Sequence, residues 1–86
     1  MSDGKLQVSG PSRADEEMSV LGVAHRGGAT ASTLSHALEV ELQEARGMLR
    51  RCWMRGLLHM SGGRGGTRWY FLTRRGKERL HSWASR

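Results

Sequence analysis

The sequence has 86 residues, 37% of them hydrophobic, which suffices for one small domain but not for two. Lysine and arginine number 14 against eight aspartate and glutamate residues, giving a formal net charge of +6. The charge is uneven: residues 1–41 carry three basic and six acidic side chains (net −3), whereas residues 42–86 carry eleven and two (net +9). A basic half of this kind indicates a polyanionic partner, nucleic acid before membrane.

The same composition excludes several classes of protein. No apolar run approaches the roughly 20 residues that span a bilayer, and the first ten residues lack the apolar segment of a signal peptide. Cys52 is the only cysteine, and the four histidines show no close ligand spacing, so neither a disulfide nor a metal site is expected. We expect a cytoplasmic protein without a cofactor. We do not expect an enzyme, because few residues remain for a pocket once a core is built.

The amino-terminal part of the chain predicts an arm followed by a helix. Residues 1–14 contain glycine, serine and the only proline without a sustained apolar period, and we expect them to form a flexible arm. A first helix is predicted over 15–25, because Met18 and Leu21 lie at helical spacing after three acidic residues that suit the amino end of a helix dipole. Glycines 27 and 28 then stop that helix.

Two more helices are predicted before the glycine-rich part of the chain. Residues 29–31 form either a brief strand or a connection, and a short helix follows over 32–38, capped by Thr30 or Ser32. A third helix is predicted over 41–55 and stops at a glycine. Its predicted core-facing stripe is narrow and consists of Leu42, Ala45, Leu49 and Cys52.

A hairpin and a last helix complete the chain. Two β-prone runs, 57–60 and 67–72, flank the glycine-rich link 61–66 and predict the hairpin. Thr73 is placed to cap a final helix over 74–84. In the second run, alternation puts Tyr70 and Leu72 on one face of the strand, and Trp69 and Phe71 on the other.

Two segments carry a resemblance to known regulators. The first, residues 45–58, reads ARGMLRRCWMRGLL and resembles the recognition helix, with its exit, of winged helix-turn-helix regulators, in particular the MarR- and PadR-like families. The second, residues 70–80, reads YFLTRRGKERL and is similar to their wing-to-helix signature, Tyr-x-Leu-Thr-x-x-Gly followed by a leucine. The resemblance covers about residues 15–84.

The resemblance implies an α+β fold of three helices, a β-hairpin wing and a C-terminal helix. Residues 15–86 would then form one winged helix-turn-helix domain. It also implies a small transcription regulator that binds double-stranded DNA sequence-specifically, with the third helix in the major groove and the wing on the minor groove or backbone.

The exposed face of the third helix supplies the first candidate DNA contacts. Arg46 and Arg50 are four residues apart and share that face, and arginine can bond guanine O6 and N7 or a phosphate. Gln43 is a candidate to read adenine, and Glu44 either accepts from cytosine or merely suits the helix dipole. Gly47 either admits a close approach of the partner or has no role in binding.

Arginines outside this helix face are further candidates for DNA contacts. Arg51, with Arg55, is predicted to contact flanking phosphates. Arg64 lies between glycine pairs at the hairpin tip, where an arginine can enter a narrow minor groove, and Arg68 on the return strand can reach a phosphate. Arg74 begins the last helix and extends the same basic surface. The alternative for all of them is a solvated basic face.

Two other functions stay open at this stage. In one, the domain is a protein-interaction module that uses Trp53, Met54 and Trp83, and its basic face is incidental. In the other, it is an RNA- or ribosome-associated basic protein. In the leading interpretation we expect a nucleoid-associated homodimer on a two-fold operator, because dimerisation raises both stability and affinity. No membrane association is expected.

Overall fold

The computed structural model describes residues 13–62 and 67–85, so the predicted arm up to residue 12 and the predicted site residue Arg64 lie outside the described residues. The elements in chain order are helices α1 (Arg13–Ala24), α2 (Ala31–Leu38) and α3 (Leu42–Met54), strands β1 (Leu58–Gly62) and β2 (Arg68–Leu72), and helix α4 (Arg74–Ala84). The predicted order of three helices, a hairpin and a last helix is confirmed, and each helix end lies within two residues of its predicted position.

The core lies where α1, α3 and the base of the hairpin meet. The largest fully buried side chains come from four different elements and are Val20, Leu21, Leu34, Leu49 and Leu58. Each buried aliphatic side chain of this size contributes about 1.5–3 kcal/mol relative to an exposed one. This shared burial fixes α3 against α1 and β1 and leaves the opposite side of α3 in solvent.

The core-facing side of α3 differs from the predicted stripe at one position. Ala45, Leu49 and Cys52 are buried as predicted, but the prediction for Leu42 is wrong, because its side chain is 43% exposed. Met48 is buried instead. Leu42 is exposed because it lies in the first turn of α3 and faces the open groove between α3 and the hairpin.

The connection between α1 and α2 pairs with the hairpin. The backbone amides of Ala29 and Tyr70 each donate to the other's carbonyl oxygen, both at 2.8 Å, so Ala29 forms a one-residue strand beside β2. Gly28, with a φ of 105°, lets the chain leave α1 for this position. Thr30 then caps α2, its side chain accepting from the amide of Thr33 at 3.1 Å.

The hairpin register separates an inner from an outer face. β1 and β2 pair antiparallel, with Leu58 opposite Leu72 and Met60 opposite Tyr70. These four residues share the inner face, toward α3 and the core, whereas His59, Trp69 and Phe71 share the outer face. The predicted alternation along the second strand is confirmed.

The junction between β2 and α4 explains the Leu-Thr-x-x-Gly part of the sequence. The hydroxyl of Thr73 accepts from the amide of Gly76 at 3.0 Å and donates to the carbonyl oxygen of Gly56 at 2.7 Å. A Cβ placed on Gly76 would overlap the carbonyl oxygen of Leu57. The glycine is therefore a packing requirement that brings α4 against the end of α3.

Candidate nucleic-acid interface

An open groove of about 740 Å³ runs between α3 and the inner face of the hairpin. Gln43, Arg46, Gly47 and Arg50 line it from α3, and Arg68 lines it from β2. The fold thus brings together five of the predicted site residues, from two separate elements, along one concave surface. Gly47 places no side chain between the α3 backbone and whatever occupies the groove.

The groove is lined by positive charge. No aspartate or glutamate is among its lining residues, and within the part of the chain that the structure describes Arg46, Arg50 and Arg68 form no ion pair. The amino end of α2 also faces the groove through Ala31 and Ser32, and a helix amino end carries a partial positive charge. The groove is therefore suited to an anionic ligand with extended shape.

Apolar side chains that were not predicted as site residues also line the groove. They are Leu42, Trp53, Met60 and Tyr70. Two signals in the sequence point to this arrangement. Trp53 follows Arg50 by three residues and so shares its helix face, and Met60 and Tyr70 occupy paired positions of the predicted hairpin.

The other arginines of α3 are bound by carboxylates of α1. Arg51 Nη2 lies 2.6 Å from Glu16 Oε2, and Arg55 Nη1 lies 2.7 Å from Glu17 Oε1. The second oxygen of Glu17 accepts from Arg79 Nε on α4 at 2.5 Å, and the Glu17 side chain is only 6% exposed. These pairs stand on the α1 side of α3, outside the groove. The phosphate contacts predicted for Arg51 and Arg55 stay predictions.

Two predicted site residues lie outside the groove. Glu44 is exposed in the first turn of α3, where a carboxylate interacts favourably with the helix dipole. Arg74 is 94% exposed in the first turn of α4, and its Nε lies 3.8 Å from Glu78 Oε2. Both stay predictions as DNA contacts.

Cys52 is buried in the core, on the α1 side of α3. Burial, together with the nearby carboxylates of Glu17 and Glu16, raises the pKa of its thiol from 9.0 to about 11. The thiol is thus protonated at neutral pH and unsuited to nucleophilic chemistry. Among residues 13–62 and 67–85 there is no group of three His, Cys, Asp or Glu that could hold a metal ion, and no helix long and apolar enough to cross a membrane.

The side chains predicted for a protein-interaction module do not share one concave surface within the described ranges. Trp53 lines the groove, whereas Met54 lines a separate shallow concavity with Glu16 and Arg51. Trp83, on α4, lines neither.

No protein-family model matches the sequence, and no curated protein matches it either. Solved structures do match in three dimensions. BpsR of Bordetella bronchiseptica superposes with a TM-score of 0.70 over 99% of this chain at 22% identity. MepR of Staphylococcus aureus superposes with a TM-score of 0.72 over 83% at 22% identity, and a mutant of ZitR of Lactococcus lactis with 0.68 over 99% at 13%.

The fold is a winged helix-turn-helix. This confirms the α+β fold class and the architecture implied by the resemblance to MarR- and PadR-like regulators. BpsR is a protein whose DNA binding is regulated by 6-hydroxynicotinic acid, and MepR is a transcription regulator of the multidrug efflux pump MepA. The winged helix described here corresponds to 55–57% of the length of the three matched chains.

Proposed function

We propose that this winged helix binds double-stranded DNA sequence-specifically as part of a transcription regulator. The observation that carries the proposal is the groove between α3 and the hairpin. Among the described residues, three arginines without ion pairs line it and no carboxylate does. An α-helix fits the major groove of B-form DNA, and a neighbouring hairpin can then follow the backbone or the minor groove. The likeness in fold to BpsR and MepR supports the same function.

Each groove residue has a role that its chemistry suits. Arg46 and Arg50 donate to guanine O6 and N7 or to phosphate, and Gln43 pairs with adenine N6 and N7. Gly47 lets the α3 backbone approach the DNA, because no Cβ stands between them. Arg68 on β2 contacts a phosphate on the strand that passes the hairpin.

The remaining predicted residues have secondary roles in the proposal. Arg64 would enter the minor groove from the hairpin tip, and Arg74 would contact a phosphate beyond α4. Glu44 either accepts from cytosine or stabilises the start of α3. Arg51 would reach a phosphate only by exchanging its bond to Glu16, so we rank it behind the groove arginines.

The proposal extends to the assembly and the place of action. Two copies would bind a two-fold symmetric operator as a homodimer, which doubles the number of DNA contacts. The regulator would act in the cytoplasm, at the nucleoid, as a binding protein rather than an enzyme.

The proposal is tested by DNA binding of Arg50→Ala, with Arg26→Ala as the matched control. Both variants remove one exposed arginine, but only Arg50 lines the groove. We expect Arg50→Ala to weaken binding to a selected site by about 1–3 kcal/mol, and to weaken binding to random DNA less. Selection of bound fragments from genomic DNA supplies the site, and mobility shift measures the affinity.

Four outcomes would count against the proposal or a part of it. Equal losses for the two variants would remove the groove from the interface. Equal loss by Arg50→Ala on selected and random DNA would reduce Arg50 to a phosphate contact. The absence of any shift with genomic DNA at low and moderate salt, or competition by structured RNA over duplex DNA, would favour the protein-interaction or the RNA-binding function.

A further inference from the structure

The outer face of the hairpin carries a stack of three aromatic rings that the proposed duplex interface does not use. The rings of His59 and Phe71 have centroids 5.6 Å apart and planes inclined by 28°. The rings of Trp69 and Phe71 have centroids 6.4 Å apart and planes inclined by 22°. Phe71 is the shared member, and all three rings stand on the side of the sheet opposite Arg68.

The turn between α1 and α2 fixes this stack in position. A Cβ placed on Gly28 would lie 2.6 Å from Phe71 Cε1, so the ring of Phe71 lies directly against the glycine backbone. Phe71 is half-buried as a result, whereas Trp69 is 40% exposed and His59 is exposed. The stack is thus organised before any ligand arrives, which reduces the entropic cost of binding to it.

A cationic concavity adjoins the rings. It has a volume of about 490 Å³ and is lined by Phe71, His59, His25 and Lys77, with no carboxylate among its lining residues. A volume of this size is within the range of small-ligand sites, about 300–1,000 Å³. Exposed aromatic rings beside a cation, with no opposing negative charge, are the combination by which proteins hold unpaired bases and their phosphates.

We propose that the outer face of the hairpin binds single-stranded nucleic acid. Unpaired bases stack on the exposed rings of Trp69 and His59, and Lys77 contacts the phosphates beside them. Base stacking on aromatic rings tolerates any sequence, because every base has a π face. The hairpin therefore has two nucleic-acid surfaces, the groove for duplex DNA on its inner face and this stack on its outer face.

The experiment is a fluorescence-anisotropy titration of the full chain with a labelled dT₁₂ oligonucleotide. We expect Trp69→Ala to weaken binding about five-fold or more, since one base–aromatic stack contributes about 1–3 kcal/mol. Trp69→Phe, which keeps a ring, should retain most of the affinity. Lys77→Ala should weaken binding and lower its salt dependence, because one phosphate contact is lost.

The same variants on duplex DNA distinguish the two surfaces. Trp69→Ala and Lys77→Ala should leave binding to a selected duplex within about two-fold of wild type, and Arg50→Ala should leave dT₁₂ binding unchanged. The proposal is overturned if wild type does not bind dT₁₂, if Trp69→Ala binds it normally, or if Arg50→Ala weakens it as much as Trp69→Ala does. Failure of Arg50→Ala to affect duplex binding would count against the duplex proposal alone. Circular dichroism checks that each variant folds. If Trp69→Ala does not fold, Lys77→Ala provides the test, because it replaces an exposed side chain.

Discussion

Two helical glycines show how much a single methyl group matters in this fold. At Gly76, in the first turn of α4, an added Cβ would overlap the carbonyl oxygen of Leu57, so the connection between α3 and β1 and the start of α4 would have to separate. At Gly22, inside α1, an added Cβ meets no atom of the described residues within 4 Å beyond the backbone of its own helix. The same chemical change thus has opposite consequences at two positions.

We expect Gly76→Ala to lower the free energy of unfolding by about 1–3 kcal/mol, as overpacking does elsewhere. Gly22→Ala should raise it by about 0.5–1 kcal/mol, because alanine loses less conformational freedom than glycine in a helix. Urea unfolding followed by circular dichroism measures both. A rise in the free energy of unfolding of Gly76→Ala would contradict the tight contact at Gly76, and a fall for Gly22→Ala would contradict the open space at Gly22.

The buried thiol of Cys52 gives the protein a pH-dependent stability on the alkaline side. Its pKa is about 11 in the folded chain against 9.0 for an unperturbed thiol, so between these values the unfolded chain has lost the proton that the folded chain keeps. The contribution of the thiol to stability is present below pH 9 and falls as pH rises toward 11. We expect the free energy of unfolding to fall by roughly 2 kcal/mol over this range.

Cys52→Ala is the control for this prediction. The variant should be less stable than wild type below pH 9, because a buried side chain is shortened. Its stability should vary less between pH 9 and 11 than that of wild type. Parallel pH profiles for the two proteins would show that other groups, such as lysines and the tyrosine, cause the alkaline loss.

Among the elements, α3 is fixed to its neighbours by the buried carboxylate of Glu17. One side chain binds Arg55 at the end of α3 and Arg79 on α4, so it joins three helices at a single point. Glu16 makes a similar but more exposed pair with Arg51. The orientation of the groove depends on α3, and therefore on these contacts.

Glu17→Ala and Glu16→Ala form a matched pair. We expect Glu17→Ala to destabilise the fold by about 1–2 kcal/mol, less than for a fully buried pair, because the two arginines it releases can hydrate. Glu16→Ala should change stability by less than about 1 kcal/mol, as for a surface pair. Thermal and urea unfolding of both variants measure the difference, and an equal effect would argue against a special role of Glu17.

Sequence patterns predicted the elements well and their mutual contacts poorly. The helix ends follow from local chemistry, such as the Thr30 and Thr73 caps and the glycines after α1, so they were accessible without a structure. Which residues of α3 face the core was harder to predict from the sequence, because Leu42 and Met48 both lie at helical spacing from Ala45. Only the packing of α1 and β1 on α3 decides between these two residues.

For the whole molecule, the uneven charge distribution is partly cancelled in three dimensions. Glu16 and Glu17, from the acidic half, hold three arginines of the basic half, namely Arg51, Arg55 and Arg79. Counting charges along the chain cannot reveal this, since the partners are 35 to 62 residues apart. Within residues 13–62 and 67–85, the groove arginines Arg46, Arg50 and Arg68 are among those that this cancellation leaves unpaired.

Salt dependence of DNA binding should report this division among the arginines. Each phosphate that a cation neutralises adds about 0.9 to the slope of log K against log salt concentration. We expect Arg68→Ala to reduce the magnitude of that slope by about one. Arg55→Ala should reduce it less, because Arg55 is bound to Glu17 outside the groove. Anisotropy titrations of a duplex between about 50 and 200 mM salt measure the slopes. Equal slopes for the two variants would show that Arg55 and Arg68 contribute equally to phosphate binding.

The attachment of the hairpin at its base has a consequence for how such domains can be redesigned. Ala29 pairs with Tyr70 in the middle of β2, and the close contact at Gly76 secures the chain directly after that strand. Towards Gly62 and Thr67 the described strand residues form backbone pairs only across the hairpin itself. We therefore expect insertions between those two positions to leave the core unaltered. The length of the hairpin, and with it the distance that the hairpin reaches from the core, could then be changed separately from the stability of the domain.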